Sequence, residues 1–163
     1  MLSSNTKDFL QAAIIGGLAG SRTSSAPAVT SILLSKNPTK AFAPKLIRFL
    51  GNQSVSQVMQ LMAIPELIMD KVPTVGDRIT PMGVACRMVS GTLCGALLFR
   101  SRNQDVVKGM LIGGLAALVS TYALFYTRKK LAEKTQIPDA LLGTAEDAIV
   151  VAGGKWLVNS AKS

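Results

Sequence analysis

Histidine is missing from all 163 residues, and cysteine occurs only twice. Without histidine there can be no histidine relay behind a serine or cysteine nucleophile and no histidine-bound zinc. Two thiols are too few to build a cysteine metal site. Cys86 and Cys94 lie eight positions apart in one apolar segment, too far to bridge within a helix. They read as two small buried hydrophobes. Charge is also scarce: 17% of residues are charged, against about 25% in a typical soluble domain. Acids are half as numerous as bases, 9 against 18, which leaves a net charge of +9. Aromatics are only 5% and do not interleave with the bases, so the basic excess is not the footprint of a nucleic-acid binder.

Apolar residues make up 48% of the chain, and its mean hydropathy is +0.36. The charges collect between apolar runs, where they would meet anionic headgroups. The expected fold is therefore all-α, a multi-span helical membrane protein forming one domain over residues 1–163. About five apolar helical segments are expected, over 8–35, 53–71, 82–99, 104–127 and 138–158. The first begins like a secretory signal, but Asp8 interrupts its start and Gly20-Ser21-Arg22 makes a poor cleavage site, so it is expected to be retained. As one helix it would be about 42 Å long, more than a hydrocarbon core of about 30 Å. A kink or break near Pro27 is therefore expected, and broken helices at membrane depth often line solute sites.

Residues 36–52 form a basic connector, with Lys45 and Arg48 opposite Phe42, Leu46, Phe49 and Leu50 at helical spacing. It suits a short helix on the membrane surface. In the second segment Val55, Met59, Met62, Glu66, Met69 and Asp70 share one helical face. Gly91 and Gly95 form a small-xxx-small pair in the third, which suits close helix packing. The fourth ends on Tyr122, Phe125 and Tyr126 just before Arg128-Lys129-Lys130, an interfacial belt and basic anchor. Ile14 to Gly20 reads IIGGLAG and Leu111 to Ala117 reads LIGGLAA, identical at five of seven positions. Three segments per repeat would make the two halves antiparallel.

If all five segments cross, chain direction alternates. Glu66 and Asp70 near the end of the second segment, Arg87 early in the third, and Glu146 and Asp147 early in the fifth then fall near one face. Buried charges in hydrocarbon pair with one another or line a wet cavity. The same count leaves seven basic residues on one side and nine on the other, too even to orient the chain.

Several motifs occur in a recognisable order: Gly20-Ser21-Arg22 with Ser25-Ala26-Pro27, the run from Pro65 through Glu66 and Asp70 to Pro73, Arg87, Tyr126-Thr127-Arg128-Lys129-Lys130, Ile137-Pro138-Asp139 and Glu146-Asp147-Ala148. In this the chain resembles the bacterial family called domain of unknown function 4126, small predicted membrane proteins, over nearly its whole length. The resemblance implies a bacterial inner-membrane protein with a helical multi-span fold. It assigns no activity and no functional residue.

Two roles fit the polar cluster. One is a small channel or transporter for a cation, proton or small solute, lined or gated by Arg22, Glu66, Asp70, Arg87, Glu146 and Asp147. The other is a non-catalytic scaffold, a homo-oligomer or a subunit of another membrane protein, in which the same charges tie helices together. An enzyme is not expected, because neighbouring Glu146 and Asp147 point about 100° apart on a helix and do not readily share a metal. No cofactor or metal is expected, and the lipid bilayer is the expected surrounding.

Overall fold

A computed structural model describes residues 4–36, 45–59, 61, 80–135 and 139–160. Every regular element among them is a helix: α1 (Ser4–Ser21), α2 (Ser25–Lys36), α3 (Lys45–Leu50), α4 (53–59), α5 (Pro81–Ser101), α6 (Val106–Thr135) and α7 (Asp139–Ser160). Thr80 caps α5, its side-chain oxygen accepting from the Gly83 N–H at 3.2 Å, and Pro81 fills the first helical position. The missing proline N–H has no intrahelical partner there in any case. Between α5 and α6, Asn103 takes a left-handed φ of 56°, a conformation asparagine tolerates. The Gln104 N–H then reaches back to the Phe99 carbonyl at 2.9 Å and closes the helix end.

Helices α1, α5 and α6 form the centre, and glycine sets their spacing. A Cβ on Gly91 would lie 2.6 Å from the Gly113 carbonyl oxygen and 2.7 Å from Ala117 Cβ; one on Gly109 would lie 2.8 Å from Phe99. Backbones this close exclude any side chain, as at small-residue membrane interfaces. Gly91 meets Gly113 and Gly95 meets Gly109, so α5 and α6 run antiparallel. Gly16 meets Gly113, and Gly20 meets Ala117, Ser120 and Thr121, so α1 and α6 run parallel. The two matching heptapeptides thus pack against each other in the same direction, and the antiparallel relation expected of them is not found. Phe9 closes the α1–α5 contact edge-on to Phe99, with ring centroids 5.6 Å apart.

The first apolar segment departs from expectation most. Its helix breaks at 22–24, not at Pro27, and the chain turns back. Leu18 on α1 and Val29 on α2 face adjacent residues of α7, Gly153 and Gly154. Thr30 comes beside Cys94 of α5, although α1 had already run from Phe99 to the level of Ser90. Residues 4–36 therefore form a helical hairpin with its tip at 22–24. Pro27 falls in the first turn of α2, where a proline neither removes an intrahelical hydrogen bond nor clashes with a preceding turn. It follows the break and does not cause it.

The bundle has two ends. The near end carries the start of α1, the α5–α6 turn and the end of α7; the far end carries the starts of α5 and α7 and the end of α6. The outer surface is apolar. Leu111, Leu115 and Val119 of α6 are exposed, as are Val89 and Leu93 of α5 and Ile149 of α7. In the centre, Ile15, Leu18, Leu98, Phe99 and Leu157 form an apolar cluster, interleaved with glycines and buried hydroxyls. Among the described residues, two helices, Pro81–Ser101 and Val106–Leu131, are long and apolar enough to cross a membrane. Only Cys94 of the two thiols is buried; Cys86 faces outward, because it lies away from the glycine seam that holds α5 to α6. Helix α3 has six residues, shorter than the connector read from sequence, and Phe49 on it is exposed beside Lys45 and Arg48. In α4 the buried side chain is Ser56, which contacts Ser31 of α2 at 3.3 Å, rather than Val55 or Met59.

Candidate functional site

The candidate site is the tip of the α1–α2 hairpin. A helix break leaves backbone carbonyls and N–H groups without intrahelical partners, and burying them unpaired is costly. Here neighbouring elements supply the partners. The Leu18 carbonyl accepts from the Arg22 N–H at 2.9 Å and lies 2.8 Å from the Ser21 and 2.7 Å from the Ser25 hydroxyl. The Thr121 hydroxyl of α6 lies 3.1 Å from the Gly20 carbonyl, and Ser120 lies 3.1 Å from that of Gly17. Ser90 of α5 donates to the Thr23 carbonyl at 2.8 Å. Small polar residues on α2, α5 and α6 thus hold an irregular backbone deep in the bundle.

Charge converges on the same place. Arg22 is 3% exposed, and its Nε donates to Asp147 Oδ1 of α7 at 2.8 Å while Nη2 reaches the same oxygen. One residue away, buried Glu146 faces Arg128 of α6 at 3.8 Å. Arg87 lies on α5 less than one turn before Ser90, and is half-buried. From Asp8 at the near end to Arg22 is about 21 Å of helical rise, so this layer sits well inside the bundle. The helical offset between Glu146 and Asp147 gives each acid its own arginine, on α6 and on the hairpin tip respectively.

Of the residues expected from sequence to share a site, the structure brings together Arg22, Glu146 and Asp147; Arg87 stands on α5 three residues before Ser90. Glu66 and Asp70 lie outside the described residues. Arg128 was missed. It opens a basic run after a tyrosine belt and so reads as a surface anchor, yet it turns inward to Glu146. A second polar cluster, at the near end, was also missed. Arg102 pairs with Asp8 and Gln11, Gln104 binds the other Asp8 oxygen, and Gln11 donates to Ser160 at 3.2 Å. The available signal was the pair of polar side chains, Asp8 and Gln11, three apart on the start of an apolar helix.

The chain matches the family model described as domain of unknown function (DUF4126) over residues 10–159. The chain belongs to the DUF4126 family. No curated protein and no solved structure matches it. In this DUF4126 chain the match covers the hairpin tip, the Arg22–Asp147 and Arg128–Glu146 pairs and the glycine seam.

Proposed function

We propose that this is a multi-pass bacterial inner-membrane protein, and that its hairpin tip is the site of a small non-catalytic channel or transporter for a cation, proton or small solute. The observation that carries this reading is the break at 22–24, whose buried Arg22 ties it to Asp147 in the same layer as Arg128 and Glu146. In hydrocarbon, irregular backbone persists only where protein buries it or water reaches it, and half-helices meeting near the midplane are a recurrent way to build solute sites. The surroundings support membrane placement: the exposed flanks of α5 and α6 are leucine, valine and methionine, a surface that water would penalise. A second copy or another membrane protein would pack on these exposed apolar flanks rather than on the buried glycine seams.

A second reading has its own support. Asp147 and Glu146 each face an arginine, as in a structural tie between helices. The two separate experimentally. Asp147→Asn removes the carboxylate that Arg22 faces; breaking a buried pair costs about 3–5 kcal/mol and lowers the unfolding transition in mild detergent. The paired variant Arg22→Gln with Asp147→Asn removes both charges and recovers most of that loss. Flux in proteoliposomes then decides: a site requires the paired variant to fold yet lose proton or cation flux, whereas a structural tie lets stability and flux return together. Wild-type flux at the level of protein-free vesicles across monovalent cations and pH would exclude the transport reading.

A further inference from the structure

Turning the first segment into a hairpin reassigns the ends of the molecule, and with them the distribution of basic charge. Had residues 8–35 crossed, the connector after them would sit at the opposite end from the start of α1. Because α2 returns, α3 follows it at the near end, packed on α2. The exposed basic side chains among the described residues then divide sharply. Lys7, Lys45, Arg48, Arg100, Lys108 and Lys155 lie toward the near end, while Lys129 and Lys130 lie toward the far end. Exposed Trp156 next to Lys155 and exposed Phe49 next to Arg48 add the amphipathic side chains that settle at a headgroup boundary. The inward-facing charges Arg22, Arg87 and Arg128 do not enter this comparison.

Resting on the membrane reading above, we propose that the near end faces the cytoplasm. Its basic collar sits against the anionic headgroups of the inner leaflet, and the α1–α2 hairpin enters the membrane from the cytoplasmic side. Lysine and arginine in short flanking segments bias that side inward, and anionic lipids of the cytoplasmic leaflet attract such a collar. The candidate site at the hairpin tip then lies on the outer side of the Asp8–Arg102–Gln104 cluster.

Single cysteines placed in the full chain carrying Cys86→Ser and Cys94→Ala test this, using Arg48→Cys, Lys108→Cys and Lys129→Cys. A membrane-impermeant maleimide is applied to cells with a permeabilised outer membrane, before and after the inner membrane is broken. The expected result is labelling of Lys129→Cys in both states. Arg48→Cys and Lys108→Cys should be labelled at least tenfold more after breakage. The reverse pattern, or equal labelling of both ends from insertion in two orientations, overturns the proposed sidedness. Labelling of Arg48→Cys and Lys108→Cys from opposite sides removes the hairpin on which it is built. Carbonate extraction reports separately on the underlying reading: a chain that leaves the membrane fraction overturns both, while an embedded chain with reversed labelling overturns the orientation alone.

Discussion

Gly113 lies between two helices, meeting Gly16 of α1 on one side and Gly91 of α5 on the other. Gly17, only one position from Gly16, has nothing within reach of an added Cβ. The same substitution should therefore have opposite consequences at the two sites. Gly113→Ala forces a methyl into the Gly91 backbone and should lower stability by about 1–3 kcal/mol, the usual range for overpacking. Gly17→Ala should be neutral or slightly stabilising, since alanine favours a helix over glycine by up to about 1 kcal/mol. Unfolding titrations of the two purified variants in mild detergent compare them directly, and equal losses would argue against the seam. The Gly91–Gly95 spacing announced a close packing surface from sequence. Which glycines touch and which do not could not be read there, because Gly16 and Gly17 differ only in the helix face they occupy.

At the scale of elements, the α1–α2 break is held by hydroxyls rather than by apolar packing alone. Ser25 lies 2.7 Å from the Leu18 and 2.8 Å from the Arg22 carbonyl, and Ser90 bonds Thr23 from α5. Ser25→Ala and Ser90→Ala should each lower stability by about 1 kcal/mol, the net worth of a typical hydrogen bond. Ser35→Ala serves as a control, since it removes only a half-buried bond to Ile32 within its own helix and should have a smaller effect. Amide exchange should also rise at 22–25 in the first two variants and stay unchanged in the third. From sequence the interruption of the apolar pattern spans Ser21 to Pro27. Pro27 drew the expected break three residues too far along, because a proline in a first turn and a proline at a kink look alike in sequence.

For the whole molecule, the reversal of α2 is the property on which most else depends. It makes α1 and α6 parallel and gathers the basic residues at one end. Thr30 sits beside Cys94, whereas an α2 that ran on from the break would carry it about 12 Å the other way along the bundle axis. Thr30→Cys in a Cys86→Ser background should therefore form a disulfide with Cys94 under mild oxidation, seen as loss of both thiols to an alkylating reagent. Free thiols in a protein that keeps its unfolding transition would mean that α2 does not return. The sequence by itself determined the helical class, the two longest apolar helices, a close-packing glycine face, and the placing of Glu146 and Asp147 inside an apolar segment. These follow from local composition, helical period and the cost of isolated charge in an apolar setting. Only the tertiary structure decided which arginine each acid takes, that Arg128 turns inward, and that the first segment doubles back. Those choices depend on side chains far apart in the chain, Ser90 and Asp147 above all, whose partners at the break are set by packing and not by any local pattern.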